Sequence, residues 1–210
     1  MNELTRRLWE EQDRHPGDRL RLFTTVADLA GGRCVLYPGS FVDVAPSFVY
    51  ASVTYVDSDR RAARFFGDAS GVNEIIRKNR HDPAKADWRF IAADYRTQLD
   101  IPERSVDLLV SLCAGFVSEH CSRYLRPGGY LLVNPSHGDA AMASIDPRYS
   151  LVAVVGSRSG RYTITERDLE SYLVPKRPTD VTAELLHGTR RGIAYTKSPF
   201  GYLFQLDGDL

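Results

Sequence analysis

The sequence is short of the features that mark specialised classes. Cysteine is scarce, with 3 among 210 residues. Cys34, Cys113 and Cys121 form no CxxC pair, so a disulfide framework is excluded and they read as small buried hydrophobes in a reducing compartment. Neither sign of charge is in excess: 27 Lys and Arg face 27 Asp and Glu, a formal net charge of zero. Proteins that neutralise many phosphates carry a basic surplus, so the balance points away from nucleic acid as a partner. No window approaches the roughly 18 uninterrupted apolar residues of a membrane helix. The opening MNELTRRLWEEQDRH puts charges where a secretory leader needs an apolar run. A cytoplasmic protein with no membrane partner is expected. His15, His81, His120, His137 and His187 are scattered, no two at ligand spacing, so no metal is expected.

What is present is ordinary globular chemistry. Apolar residues make up 43% and charged residues 26%. The length suits one domain, enough to bury roughly 70% of its unfolded surface. No repeat, low-complexity tract or Pro/Gly/Ser-rich linker divides it. Leu4 and Leu8 suggest a short opening helix, interrupted at His15-Pro16-Gly17-Asp18. Leu20, Phe23, Val26, Ala27 and Ala30 recur at helical spacing until Gly31-Gly32.

Short apolar runs then alternate with helical stretches. Strands are expected at residues 34–37, 52–56, 88–93, 106–112 and 130–133, the last preceded by a turn at Arg126-Pro127-Gly128-Gly129. Helices are expected near Pro46, over 60–66 and 72–79, and over 116–125. Further on, residues 151–155 and 202–206 read as strands, 156–160 as a turn, and 165–173 as a helix capped by Thr165. Apolar strands alternating with helices imply a doubly wound, mostly parallel α/β sheet covered on both faces. The division expected is N-terminal helices over 1–32, a ligand-binding half over 33–134 and a substrate-side half over 135–210, within one domain.

In such sheets ligands bind at the carboxyl ends of the strands. The tips here hold Tyr37-Pro38-Gly39-Ser40, Asp57-Ser58-Asp59, Asp94-Tyr95 and Asn134-Pro135-Ser136-His137. A carboxylate accepts two hydrogen bonds at once, which suits vicinal ribose hydroxyls, and Asp57 lies 18 positions after Gly39, near the roughly 20 expected of a nucleoside site. Asp94 could accept from an adenine amino group, and Gly39 lets backbone approach a ligand. Asp59 reads as a helix cap. His137 is a candidate general base, because imidazole changes protonation nearest neutral pH. Arg158, Arg161, Arg190 and Arg191 read as solvated, or as recognising a carboxylate or phosphate.

Val35-Leu36-Tyr37-Pro38-Gly39, Val53-Thr54-Tyr55-Val56-Asp57, Phe90-Ile91-Ala92-Ala93-Asp94 and Val106-Asp107-Leu108-Leu109-Val110-Ser111 follow in an order that resembles class I S-adenosylmethionine-dependent methyltransferases. Leu125-Arg126-Pro127-Gly128-Gly129 before Tyr130-Leu131-Leu132-Val133 is the most specific segment of that resemblance. It implies a Rossmann-like sheet ending in an antiparallel strand, S-adenosylmethionine as cofactor and a small-molecule acceptor. The cofactor side implied is Tyr37, Gly39, Ser40, Asp57, Ser58, Asp94, Tyr95 and Ser111.

The first loop departs from the family pattern of acidic-x-Gly-x-Gly-x-Gly. Those places hold Tyr37, Gly39, Phe41 and Asp43. The same loop cannot bring backbone N–H groups onto a pyrophosphate, which disfavours a nicotinamide dinucleotide. Two alternatives therefore stand beside the enzyme: a methyltransferase-like binding or assembly module without catalysis, and a nucleic-acid methyltransferase suggested by Asn134-Pro135. The acids Asp43, Asp57 and Asp94 are expected to form an acidic sheet edge facing arginines of the final third.

Overall fold

A computed structural model describes residues 1–80 and 86–207. Helices α1 (Glu3–Gln12) and α2 (Asp18–Ala30) lead into strand β1 (Cys34–Pro38). Strand β2 (Ser52–Asp57), helices α3 (Arg60–Gly67) and α4 (Ala69–Asn79), and strand β3 (Asp87–Ala92) follow. Then come β4 (Val106–Ser111), α5 (Val117–Cys121), β5 (Leu125–Val133) and α6 (Asp139–Ile145). The chain continues through β6 (Tyr149–Arg158), β7 (Arg161–Thr165), α7 (Ala183–Thr189) and β8 (Gly201–Leu206). His81 lies outside the described residues.

The strands form one sheet in the order β3-β2-β1-β4-β5-β8-β6-β7. From β3 to β5 neighbours are parallel; β8, β6 and β7 add antiparallel pairs. The strand order reverses direction between β1 and β4, which makes that edge the natural ligand crevice. The fold is a doubly wound, mostly parallel α/β sheet.

Pleating sends successive side chains to opposite faces, and both faces are buried. Val35, Tyr37, Val53, Tyr55, Leu108, Val110 and Leu132 join one core with Leu8, Leu22, Phe23 and Val26. Leu36, Leu109, Leu131 and Val133 join the other, with Val117, Ala140 and Leu186. Helices α1 to α4 thus cover one face and α5 to α7 the other. Caps set their starts: Asn2 accepts from the Thr5 N–H, Asp59 from Arg61 and Asp68 from Gly71. The expected cap role of Asp59 is observed.

Several sequence expectations need correction. The helix expected over 116–125 is only α5 plus a single 3-10 turn at Ser122–Tyr124. Leu125 already pairs with Val106, so Arg126-Pro127-Gly128-Gly129 is an irregularity inside β5, where Gly128 takes φ +73°, rather than a turn before it. Thr165 ends strand β7 and caps nothing, and only Leu169–Leu173 is helical, as a 3-10 turn. β6 runs on to Arg158, which narrows the expected turn to Ser159-Gly160. The sheet interior overrides local propensity in each case: backbone groups beside a paired strand are satisfied best by extending the ladder.

Phe66 of α3 stacks on Tyr55 and Phe90 at ring-centroid distances of 5.0 and 4.5 Å and also approaches Trp88 at 5.7 Å. Truncating a large side chain this deeply enclosed leaves a cavity. Phe66→Ala is expected to lower unfolding free energy by about 3–5 kcal/mol in urea denaturation, with the m-value unchanged.

Candidate functional site

The tip of β1 turns through Gly39, Ser40 and Phe41 and folds back over β2. Gly39 adopts φ +64°, and a Cβ there would lie 2.6 Å from the Ala114 Cβ. The glycine is therefore required by the approach of the segment after β4. Phe41 follows at φ 47°, and its N–H donates to Asp57 Oδ2 at 2.8 Å, while the Arg61 guanidinium lies over its ring at 4.8 Å. The other oxygen of Asp57 accepts the Asp59 N–H, also at 2.8 Å. Each carboxylate oxygen can accept a further hydrogen bond, so Asp57 holds the loop without exhausting its capacity.

Beneath this loop lies a buried ionic cluster. Arg19 of α2 donates to Asp43 Oδ2, through Nε at 2.9 Å and also through Nη2, and Tyr37 donates to the same oxygen at 3.2 Å. Burial disfavours the Arg19 charge, but Asp43 outweighs it and raises the guanidinium above its ordinary range. Burial and the neighbouring Asp43 push the Tyr37 hydroxyl well up, so it stays protonated. Ser40 Oγ, buried in the same loop, has no hydrogen-bond partner among the described residues.

A cleft of about 720 Å³ opens beside this loop, at the carboxyl ends of β2 to β5. Ser58, Asp94 and Tyr95 form one wall and Gly115, Phe116 and His137 another. Arg96 forms a bidentate pair with Asp94, and this hydrogen bonding pulls the Asp94 carboxyl down to about 2. Tyr95 donates to the Gly115 carbonyl at 2.9 Å, which ties the two walls. Across the mouth, His187 of α7 meets Glu119 of α5 at 2.9 Å and packs its ring edge-on against Phe116 at 5.0 Å.

The wall after β4 is held from behind by Asp139, which is fully buried. Its carboxylate accepts from the Ser111 and Ser118 hydroxyls at 2.5 Å each, and from the Val117 and Ser118 N–H groups at 3.1 Å. Those N–H groups begin α5, so a side chain of α6 supplies the missing cap. Burial raises the Asp139 carboxyl above its ordinary range, opposed by those donors.

The structure thus gathers Ser58, Asp94, Tyr95 and His137 around one cleft, with Asp57 at the end of β2 holding the loop of Gly39 and Ser40 beside it. Tyr37 and Ser111 are buried behind the edge, their hydroxyls engaged by Asp43 and Asp139. Asn134 donates its amide to the Leu112 carbonyl and accepts from Ser136, an inward arrangement unlike a clamp on a base amino group. Sequence reasoning missed Arg96, Phe116, Glu119 and His187 at the cleft, and Asp139 behind it. His187 lies in a stretch without strand-tip signals; Asp139 is a lone acid in an unpatterned segment. Among the described residues no group of three or more His, Cys, Asp or Glu is placed to hold a metal ion, and no helix is long and apolar enough to cross a membrane.

No family model and no curated protein sequence matches the chain. Solved structures do resemble it. An S-adenosylmethionine-dependent O-methyltransferase from Thermotoga maritima aligns with TM-score 0.51 at 12% identity, over 100% of this chain and 73% of the other. An inferred O-methyltransferase from Klebsiella pneumoniae gives TM-score 0.52 at 11% identity, over 100% and 91%. An inferred methyltransferase from Escherichia coli gives 0.51 at 10%, over 94% and 88%. The chain has the class I methyltransferase-like fold.

Two outcomes follow from the hydrogen bonding of these acids. Asp139→Ala strands buried donors and is expected to cost about 3 kcal/mol or more in urea denaturation. Arg96→Gln should let the Asp94 carboxyl return from about 2 toward the ordinary value near 4, read by carboxyl-carbon NMR titration. A depressed carboxylate contributes stability above its unfolded value of 3.8, and the contribution disappears as pH falls toward about 2; the variant should lose this acid-limb dependence.

Proposed function

We propose that the protein is an S-adenosylmethionine-dependent methyltransferase acting on a small-molecule acceptor. The observation that carries this reading is the cleft at the carboxyl ends of β2 to β5, with a nucleoside-type wall of Ser58, Asp94 and Tyr95 facing His137. The fold of the similar structures agrees with it.

The residues present suit an adenosine group. Asp57 retains acceptor capacity for ribose hydroxyls, Asp94 and Tyr95 sit where an adenine ring would rest, and Ser40 Oγ is a buried hydroxyl still to be satisfied. S-adenosylmethionine, when bound, supplies a methyl group on a positively charged sulfur that is already activated. The chain's own task is then alignment and exclusion of water. Tyr95, pinned to Gly115, sets the width of the cleft. Residues 33–134 carry the cofactor side in this reading, and residues from 135 onward supply the acceptor wall.

One observation favours a second reading, a fold of this type that binds without transferring. Phe41, at φ 47°, and Asp43, paired with Arg19, stand at two glycine places of the pattern this loop resembles, so bulk and a buried ion pair fill it.

Calorimetric titration with S-adenosylhomocysteine separates the two. Methyl transfer predicts saturable binding that Asp57→Ala weakens by roughly 30-fold or more, the loss of about 2 kcal/mol of charge-assisted hydrogen bonds. Asp94→Asn, which leaves the first loop intact, should weaken it less. Folded protein that gives no heat at millimolar ligand overturns the enzyme reading.

A further inference from the structure

The motif Asn134-Pro135-Ser136-His137 has an internal logic that the cofactor side leaves unused. The Ser136 N–H donates to Asn134 Oδ1 at 3.2 Å, and an N–H can only donate, so the atom it faces is the amide oxygen. The Asn134 amide nitrogen correspondingly faces the Leu112 carbonyl. Ser136 Oγ lies 2.5 Å from the same Asn134 oxygen, a separation that requires the serine proton between them. A serine hydroxyl has one proton. What it offers His137 Nδ1, 3.0 Å away, is therefore a lone pair. Nδ1 must carry the imidazole proton, and neutral His137 is left with an unprotonated Nε2. The relay from β4 through Asn134 and Ser136 orients a base, as a third group orients the histidine of other catalytic constellations.

The cleft that holds this imidazole also holds an arginine outside any ion pair among the described residues. Asp94 is paired with Arg96, and Glu119 is hydrogen-bonded to His187, a charge pair only when that imidazole is protonated. Arg190, at the end of α7, lines the same cleft and makes no ion pair among the described residues. Backbone packing fixes its neighbourhood. A Cβ on Gly138 would lie 3.1 Å from the Arg191 carbonyl oxygen, and one on Gly192 would overlap the Pro135 carbonyl oxygen. The segment after α7 therefore abuts the turn that carries His137.

Resting on the methyl-transfer reading, we propose that the acceptor is a hydroxy compound bearing an oxyanion, carboxylate or phosphate. Arg190 holds the oxyanion, and His137 Nε2 takes the proton of the hydroxyl. In that step the O–H bond breaks with its electron pair left on the acceptor oxygen, Nε2 gains the proton, and the imidazole becomes imidazolium. Ser136 and Asn134 are positioning residues. An imidazole base serves an oxygen nucleophile, whose proton must leave for the oxygen to react; Arg supplies planar bidentate recognition of carboxylate or phosphate.

The test has arms that do not need turnover. Long-range proton–nitrogen NMR at about pH 8, above the imidazole range, should report His137 as the Nδ1–H tautomer. Ser136→Ala should convert it to Nε2–H and Ser136→Thr should preserve it. Titration with 4-hydroxybenzoate and with 4-hydroxyphenyl phosphate should show binding of at least one, which identifies the oxyanion. Arg190→Gln should weaken that probe about tenfold or more, the worth of one charge-assisted pair, and leave phenol unaffected. A wild-type Nε2–H tautomer, no binding of either anion, or an Arg190→Gln affinity within about twofold of wild type overturns the proposal. S-adenosylhomocysteine is titrated into the same samples: its failure to bind sinks the methyl-transfer reading, whereas its binding beside a failed tautomer or anion result sinks only this inference.

Discussion

Asp139 occupies the point where β4, α5 and α6 meet, with no solvent exposure and four donors aimed at its carboxylate. Removing a carboxylate from water is costly, and these hydrogen bonds offset that cost only while every donor keeps its place. The arrangement therefore reaches well beyond one residue. It fixes where β4 ends, at Ser111, and where α5 begins, at Val117. The chain between them, including Ala114, Gly115 and Phe116, is left to form both the ceiling over Gly39 and the wall of the cleft. The cleft takes its shape from a group that does not line it.

A second buried carboxylate works in the opposite sense. Asp43 with Arg19 and Tyr37 fills the space under the first loop, and Val42 and Val44 on either side are wholly buried. One half of the sheet edge is thereby packed, while the half bounded by β2 to β5 is open. The acids expected to make that edge negative are each engaged: Asp43 by Arg19, Asp57 by backbone N–H groups, Asp94 by Arg96. The arginines of the final third reach the site through Arg190 alone among Arg158, Arg161, Arg190 and Arg191. Neutral total charge here reflects local pairing.

How much of this was legible in the sequence follows from burial. β1 and the end of β5 are covered on both faces and appear as short apolar runs; β4 is interrupted only by Asp107, and β2 sets buried Val53 and Tyr55 against half-buried Ser52 and Thr54. β7 sits at the sheet edge with the pattern Arg161-Tyr162-Thr163-Ile164-Thr165, half of it exposed, and reads as well for a turn or a helix start. α7 is seven residues long with a single buried side chain, Leu186, too little for a helical period to show. Strand tips pointed to Asp57, Asp94 and His137 because this topology brings those strand ends to one edge. The partners that give those residues their states, Arg96 two positions on and Ser136 next door, are local; Asp139 and Arg190 reach the edge only through tertiary contacts no spacing rule encodes.

Backbone conformation around the cleft is constrained as well. Phe116, His137 and Arg190 all adopt left-handed φ values, 57°, 60° and 52°, and all three line the one cleft. For residues with a Cβ such conformations cost about 1–3 kcal/mol each and persist only where the surroundings impose them. The impositions are identifiable. Phe116 precedes the α5 N–H groups gripped by Asp139, His137 follows the Asn134–Ser136 hydrogen bonds, and Arg190 donates its backbone N–H to Leu186 as α7 ends against the Pro135 turn. A relaxed chain would turn each of these side chains elsewhere. Among the described residues, three of the seven non-glycine residues in this conformation line one opening, and groups held this way lose their arranging entropy when the protein folds rather than when a ligand arrives.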